Sequence, residues 1–357
     1  ALKNPLLPLA VLAALAIITA YAAKDGGTHL LLSTRTLEIA FFGACAVLLL
    51  KAARTGLALL AFVMALLINL TGQPNERVAL RSYFGVLTVA DGAEGPYRLL
   101  THGTTMHGAQ RLSELDATYK DKPHALTYYS PEGGMARALL TTQERLAAEG
   151  RAGAYRVVGL GTGSLACYAR DGEDWSYYEI DSDVIRVARD PAQFTFLSRC
   201  APGLKIVEGD ARITLQQEKA SPADYLLVDA FSSDSIPIHL ITTEAMQLYF
   251  SRVKDDGVLV MHVTNRFMDL VPVVAANMKA IDPALQGRVI DFVPATPDVS
   301  AMHSIAIVMS RNPRALEALD RQGGTAPITP DAGIAPWTDD IADIPDAILR
   351  RVYQTRY

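Results

Sequence analysis

Several short hydrophobic runs of this 357-residue chain end in polar side chains that could take part in chemistry. These side chains are Glu179, Asp210, Asp229 and His262. The runs have the composition of β-strands and alternate with helical patterns, which predicts an α/β fold with a mostly parallel sheet covered by helices. Because ligands of such sheets bind beyond the carboxyl ends of the strands, we expect the four side chains to border one cleft.

The loop that begins at Asp229 reads DAFSSDSIPIH and contains a second carboxylate, Asp234. A carboxylate next to an attacking amine accepts its proton and stabilises the positive charge on nitrogen. Where the reaction partner is an activated alkyl donor such as a sulfonium, the amine mainly has to be neutral, close and in line. We therefore treat Asp229 and Asp234 as candidate catalytic residues. The alternative is that both only cap the turn and the next helix.

A glycine-rich turn follows the predicted strand Arg156–Gly159 and precedes the predicted helix Ser164–Arg170. Its candidate cofactor ligands are Gly159, Gly161, Thr162 and Gly163. Glycines let the backbone approach a ligand, and a helix N-terminus offers free N–H groups. Glu179, at the end of the next predicted strand Trp175–Ile180, can accept hydrogen bonds from both hydroxyls of a ribose. The segment therefore predicts a ligand that contains adenosine.

The spacing of this turn narrows the class of ligand. Dinucleotide-binding folds usually read G-x-G-x-x-G, with an acid about 20 residues further on. Here the third glycine comes one position earlier, a form that is more usual where the ligand has no pyrophosphate, as in S-adenosylmethionine. The alternative is an ordinary turn between a strand and a helix that binds no ligand.

Other polar residues are candidates with a plain structural alternative. Asp210, together with Ala211, could contact an adenine amino group, although aspartate is also favoured as a helix N-cap. Further candidates are Gln110 for the cofactor and His107, Tyr128, Tyr129 and Asp339 for the substrate. For these residues the alternative is packing in the core or at the surface. The odd spacing of His102 and His107 puts them on opposite faces of a strand, so we predict no metal site.

The first 72 residues differ in character from the rest of the chain. Three apolar runs, Pro5–Ala23, Ile39–Leu50 and Leu57–Leu70, raise the mean hydropathy to +0.17. We expect a transmembrane region of about three helices in residues 1–72, with the lipid bilayer as a partner. A signal peptide for the first run and buried helices for the shorter runs are the alternatives. A small bias in Lys and Arg favours a cytoplasmic catalytic domain.

Two further domains are expected after this region. Residues 78–130 contain the predicted strands Tyr83–Val89 and Tyr97–His102, which indicate a small β-hairpin domain. Residues 131–357 contain the alternating elements and form the predicted catalytic domain. A net charge of −5 argues against a nucleic-acid partner. The cysteines show no disulfide or metal spacing; they are Cys45, Cys167 and Cys200.

Five short motifs together resemble the spermidine/spermine synthase family, and in particular its bacterial membrane-fused, spermidine synthase-like branch. The motifs are HGAQ at 107–110, GLGTG at 159–163, YEID at 178–181, GDAR at 209–212 and DAFSSDSIP at 229–237. The resemblance implies a small β domain ahead of a Rossmann-like, methyltransferase-like fold. It also implies a homodimer and, with the apolar runs, a multi-pass location in a bacterial inner membrane.

The resemblance implies a reaction as well. The family transfers an aminopropyl group from decarboxylated S-adenosylmethionine to putrescine or a related small amine and releases methylthioadenosine. By this resemblance Glu179 binds the ribose, Asp210 and Ala211 contact the adenine, and Asp229 deprotonates the amine. Gln110 and the pair Tyr128–Tyr129 fall near pocket positions of the family.

Two departures from the family pattern keep other functions open. Thr162 stands where the family's glycine turn usually has an aspartate that faces the donor's ammonium group. A neutral turn would better tolerate the carboxylate of intact S-adenosylmethionine. The Asp229 loop also has two more residues between its acids than the usual D-S-S-D. The alternatives are a methyltransferase or another enzyme that uses intact S-adenosylmethionine, and a non-catalytic module that senses a nucleoside.

Overall fold

A computed structural model of the chain describes residues 75–354, with gaps at 93–94, 104, 232–235 and 297. The predicted transmembrane region 1–72 and the candidate catalytic residue Asp234 lie outside the described residues. The predicted location in a bacterial inner membrane is contradicted, because no helix in the described part of the chain is long and apolar enough to cross a bilayer.

A small antiparallel sheet comes first in the described chain. Its strands are β1 (Asn75–Ser82), β2 (Gly85–Asp91), β3 (Tyr97–His102) and β4 (Thr105–Arg111), and each pairs with the next. The sequence predicted two of these strands. The other two, β1 and β4, lie at the edges of the sheet and carry charged and polar side chains, which edge strands tolerate and which hide their pattern.

A larger sheet forms the centre of the molecule. Its strands are β5 (Ala154–Val158), β6 (Asp174–Glu179), β7 (Lys205–Glu208), β8 (Ala223–Val228), β9 (Val253–His262), β10 (Gln286–Phe292), β11 (Ser304–Ser310) and β12 (Ala326–Pro327). The spatial order is β12-β10-β11-β9-β8-β5-β6-β7. The strands from β7 to β9 in this order are parallel to their neighbours, whereas β11 runs antiparallel to β9 and β10. The predicted α/β class with a mostly parallel sheet is confirmed.

Helices cover both faces of this sheet. They are α1 (Gly134–Ala148), α2 (Ser182–Arg189), α3 (Phe196–Cys200), α4 (Ala211–Gln217), α5 (Thr243–Ser251), α6 (Val271–Ile281), α7 (Pro313–Arg321) and α8 (Ile344–Gln354). The predicted helix after the glycine turn is only a short 3-10 helix, Ser164–Tyr168. It ends early because the chain soon enters the turn Arg170–Glu173, in which Gly172 has a φ of +83°.

The order of the strands creates an opening at the carboxyl ends of β5 and β8. From β5 the chain moves outward through β6 and β7, and it then returns to add β8 on the other side of β5. Neighbouring connections therefore leave in opposite directions, and such a switch point is where open α/β sheets bind ligands. The pairing of Val158 with Val228 places Gly159 and Asp229 side by side at this opening.

A disulfide links the segment after the glycine turn to α3. Cys167 and Cys200 are bonded although 33 residues separate them. The sequence-based expectation of no disulfide is therefore wrong. Two cysteines this far apart carry no signature spacing, and only the packing of the 3-10 helix against α3 brings their Cα atoms to 4.7 Å.

The small sheet is fixed to the large one by a buried arginine and by aromatic packing. The guanidinium of Arg98 donates to Asp91 at 2.7 and 3.0 Å and to the carbonyls of Ala192 and Gln193 at 2.7 and 2.9 Å. Leu100 of β3 belongs to the same buried cluster as Phe194 and Phe196. These contacts hold β4, and with it His107, above the opening at the switch point.

Candidate active site

A cavity of about 310 Å³ lies at the carboxyl ends of β5, β6, β7 and β8. Among its lining residues are Gly159, Gly161, Glu179, Asp210, Ala211, Asp229 and His107. Apart from its carboxylates and histidines, much of the wall is apolar, with Leu87, Leu100, Val158 and Leu160 among its residues. The structure therefore brings seven of the predicted site residues to one cavity, which we call the donor cavity.

The glycine turn forms the floor of the donor cavity and has no room for side chains. Gly159 has a φ of +94°, and a Cβ there would lie 2.1 Å from the carbonyl oxygen of Asp229. Gly161 has a φ of +53°, and its Cβ would lie 2.7 Å from the carbonyl oxygen of His107. Only glycine combines this left-handed backbone with such close approach.

Glu179 is held rigidly at the wall of the cavity by backbone N–H groups. Its carboxylate accepts from the N–H of Leu160 at 2.9 Å and from the N–H of Asp181 at 3.0 Å. Burial raises the pKa of Glu179, although these hydrogen bonds oppose the change. A carboxylate oxygen can accept more than one hydrogen bond, so Glu179 could also accept from neighbouring donors such as two hydroxyls of a sugar.

Asp210 is the N-cap of α4. One carboxylate oxygen accepts from the N–H groups of Arg212 at 2.9 Å and Ile213 at 3.2 Å. The other oxygen lies 3.3 Å from Nε2 of His239. The capping role that the sequence left as an alternative is thus observed, and Asp210 still lines the donor cavity together with Ala211. A contact with adenine stays a prediction.

Asp229 is buried and accepts two short hydrogen bonds, one from a tyrosine and one from a histidine. The hydroxyl of Tyr129 donates to one oxygen, and Nδ1 of His262 lies 2.6 Å from the other. Burial by itself would raise the pKa of Asp229, but the charge of His262 and the two hydrogen bonds outweigh it and lower the pKa. Burial and the nearby carboxylate raise the pKa of Tyr129 well above its usual value. Asp229 is therefore ionised, and Tyr129 is a neutral donor.

His262 connects Asp229 to a second hydrogen-bonded group. Its Nε2 lies 2.7 Å from Oγ1 of Thr264, which accepts from the N–H of Ile305 at 2.7 Å. An ionised Asp229 needs a donor, so Nδ1 of His262 carries a proton whether the ring is neutral or charged. The sequence analysis placed His262 at a strand end but gave it no role. The available signal was that His262 ends the strand that follows β8 in sequence, as Asp229 follows β8 itself.

A second cavity, also of about 310 Å³, adjoins the donor cavity. Its lining residues include Met106, Tyr128, His262, Arg266 and Met302. The two cavities share His107 and Phe231. The ring of Tyr128 lies 5.0 Å from that of His262 and 4.8 Å from that of Tyr129. Tyr128 thus borders this second cavity, and a contact of its side chain with the substrate stays a prediction.

Two residues of the glycine turn face the protein interior. Thr162 is buried, and a Cβ on Gly108 of β4 would lie 2.6 Å from its Oγ1. A Cβ on Gly163 would lie 2.6 Å from Leu197 of α3. Neither Thr162 nor Gly163 lines the donor cavity or the second cavity.

Gln110 and Asp339 also lie outside both cavities. Gln110 is fully buried, where its Nε2 donates to Thr195 Oγ1 at 2.6 Å and its Oε1 accepts from Thr195 N–H at 2.9 Å. Asp339 accepts from Arg212 at 2.7 Å and from Thr242 at 2.8 Å. Both residues join elements of the fold in this structure. Among the described residues no group of His, Cys, Asp and Glu could hold a metal ion.

Comparison with known proteins gives no match by family model and none among curated proteins. The structure is similar to that of a probable spermidine synthase from Corynebacterium glutamicum, with 16% sequence identity, 76% of this chain and 99% of that chain covered, and a TM-score of 0.51. Spermidine synthase from Thermotoga maritima is 12% identical, with 77% of this chain and 84% of that chain covered and a TM-score of 0.48. Human methyltransferase-like protein 13 in complex with SAH is 20% identical, with 59% of this chain and 96% of that chain covered and a TM-score of 0.39.

The likeness to the Corynebacterium protein concerns the fold alone, because so few residues are identical. It comprises a Rossmann-like methyltransferase fold with a mostly parallel sheet, preceded by an antiparallel sheet. The chain therefore shares the fold of this probable spermidine synthase.

Proposed function

We propose that the chain is an aminopropyltransferase, which moves an aminopropyl group from decarboxylated S-adenosylmethionine to a small amine and releases methylthioadenosine. The observation that carries this proposal is the placement of Glu179 and Asp229 in one cavity, on the two sides of the glycine turn. Glu179 is suited to a ribose, and Asp229 is the ionised group at the opposite side. The shared fold with a probable spermidine synthase supports the same conclusion.

The proposed reaction transfers positive charge from sulfur to nitrogen. The amine nitrogen forms a bond to the propyl carbon next to sulfur, the C–S bond breaks, and its electron pair stays on the sulfur of methylthioadenosine. The ionised carboxylate of Asp229 stabilises the ammonium that forms and accepts its proton. Tyr129 and His262 act as positioning residues, because their hydrogen bonds fix the orientation of this carboxylate.

One observation favours a second candidate, methyl transfer from intact S-adenosylmethionine. Thr162 points into the interior against Gly108, so the glycine turn offers no countercharge to the ammonium group of a decarboxylated donor. The same sulfonium supports both reactions, since only the attacked carbon differs.

The two candidates are separated by their products. Purified protein is incubated with each donor and a panel of amines, and methylthioadenosine and S-adenosylhomocysteine are quantified by chromatography. We expect methylthioadenosine with the decarboxylated donor alone. S-adenosylhomocysteine as the sole product would remove the first candidate, and tight nucleoside binding without turnover would favour a sensing module. The variant Asp171→Asn, at an exposed aspartate in a surface turn, is a control for loss of charge.

A further inference from the structure

The second cavity has the opposite charge to the donor cavity. The donor cavity is lined by the carboxylates of Glu179, Asp181, Asp210 and Asp229. The described residues that line the second cavity include no carboxylate, but they include two arginines, Arg266 and Arg351. A cation that enters the second cavity beyond Asp229 therefore meets like charge, whereas an anion meets opposite charge.

Arg266 carries this argument. Its guanidinium lies 5.5 Å from the centre of the Phe267 ring, and no carboxylate among the described residues forms an ion pair with it. The side chain of Asn265 accepts from the N–H groups of Phe267 and Met268 at 2.8 Å each, which fixes the turn that presents Arg266. Arg351 has an interaction of its own, so the inference does not depend on it. His303 is already 2.7 Å from Asp291 and is left out of the charge balance.

The rest of the wall suits a short aliphatic chain. Met106, Met302 and Phe231 give the second cavity an apolar part of its lining. Methionine side chains adapt to flexible apolar ligands. In the binding mode that we infer, a linear ligand turns its amine toward Asp229 and extends along the second cavity, with its other end at Arg266.

We propose that the second cavity binds an acceptor amine whose far end carries a carboxylate or a phosphate. That this amine is the acceptor of the aminopropyl group rests on the proposed function, but the binding of its anionic end at Arg266 does not. A diamine such as putrescine, which the sequence resemblance implies, would place its second ammonium next to Arg266. An amine with an anionic end forms a charge-assisted hydrogen bond there, and guanidinium matches both carboxylate and phosphate geometry.

The first test measures binding without any need for turnover. Calorimetry in the presence of methylthioadenosine compares 4-aminobutanoate, 2-aminoethyl phosphate and 1,4-diaminobutane, which share an amine and differ at the other end. We expect at least one of the two acids to bind about tenfold or more tightly than the diamine. Arg266→Gln should remove the preference, and Arg314→Gln, an exposed arginine of α7 outside both cavities, should keep it. Equal binding of all three ligands, or tighter binding of the diamine, overturns the proposal.

The second test compares kcat/KM for the same amines and separates this proposal from the proposed function. Turnover with the diamine preferred would overturn the anionic acceptor and leave the transferase intact. Preferred binding of the acids without turnover would support the anionic acceptor site and overturn the proposed transferase activity. The carboxylate could also belong to an intact donor, so S-adenosylhomocysteine and methylthioadenosine are titrated into Arg266→Gln. Weaker binding of S-adenosylhomocysteine alone, with the preference for acids unchanged, would assign Arg266 to the donor and overturn the proposal.

Discussion

Substitution of Gly159 by alanine tests whether the close contact between the ends of β5 and β8 builds the site. A Cβ at residue 159 would lie 2.1 Å from the carbonyl oxygen of Asp229, whereas ordinary contacts begin at 3.4 Å. The two strand ends must therefore separate by about 1.3 Å, the difference between these distances. Asp229 would move with its backbone, which changes its position relative to Tyr129 and His262.

The expected cost has two parts. A residue with a side chain at the positive φ of Gly159 loses about 1–2 kcal/mol, and a methyl group forced into a packed site adds about 1–3 kcal/mol. We therefore expect the free energy of unfolding to fall by about 2–5 kcal/mol. A displacement of about 1 Å at a reacting group lowers the rate by about 100-fold, and we expect a loss of that order in turnover.

Gly172→Ala is the matched control. Gly172 also has a positive φ, +83°, but nothing lies within 4 Å of the Cβ position. Gly172→Ala therefore has the same cost of a side chain at positive φ as Gly159→Ala, but its new methyl group collides with no neighbouring atom. Urea unfolding and calorimetric titration with methylthioadenosine are measured for both variants. We expect Gly159→Ala to lose about 1–3 kcal/mol more stability than the control and to bind the nucleoside at least tenfold more weakly. Equal losses in stability together with unchanged binding would refute this account of the turn.

Four further predictions concern single groups. Asp229→Asn should lower turnover by about 10²–10⁴-fold while calorimetry shows little change in affinity for methylthioadenosine; equal loss of both would indicate a structural carboxylate. Gln110→Leu should cost about 1–3 kcal/mol in urea unfolding, because the buried N–H and Oγ1 of Thr195 both lose their hydrogen bonds to Gln110; weaker nucleoside binding at unchanged stability would instead place this amide at the ligand. Burial raises the pKa of Glu179, so its charge lowers stability above that pKa, and this penalty disappears as the pH falls toward the unfolded pKa. Acidification should therefore weaken nucleoside binding while it relieves the folding penalty, and an unchanged pH profile of binding in Glu179→Gln would contradict this. Cys200→Ser should lower the free energy of unfolding by about 3–4 kcal/mol for the 33-residue separation; urea unfolding equal to that of the oxidised wild type would show that the bond does not constrain the chain.

The central elements could be predicted from the sequence because their patterns are local. The strand Tyr97–His102 has the predicted bounds, and the strands predicted at Arg156–Gly159 and Trp175–Ile180 are observed as β5 and β6, with ends that differ by one or two residues. Each is a short run of strand composition between turn residues. The cluster of polar residues at one edge followed from the parallel arrangement alone, since the carboxyl ends of parallel strands share an edge.

The contacts of individual side chains could not be predicted in the same way. Gln110 belongs to one of the motifs that resemble those of a known family, yet its side chain is hydrogen-bonded to Thr195, 85 residues away in sequence. His262 binds Asp229 only because β9 lies beside β8 and because both residues come at the strand ends. Such pairings depend on the register between distant strands, which no local pattern encodes.

The boundary between the two cavities explains how one carboxylate could serve a reaction that moves charge from one ligand to another. Asp229 lines the donor cavity, and its partner His262 lines the second cavity. In the proposed reaction the positive charge leaves the sulfur on one side and appears on the nitrogen on the other. A carboxylate held at that boundary by Tyr129 and His262 faces the charge before and after the transfer, so it has no need to reorient. An anionic group near Arg266 would then compensate the arginine without competing for Asp229, whereas a second ammonium would have no carboxylate among the described residues of its own cavity.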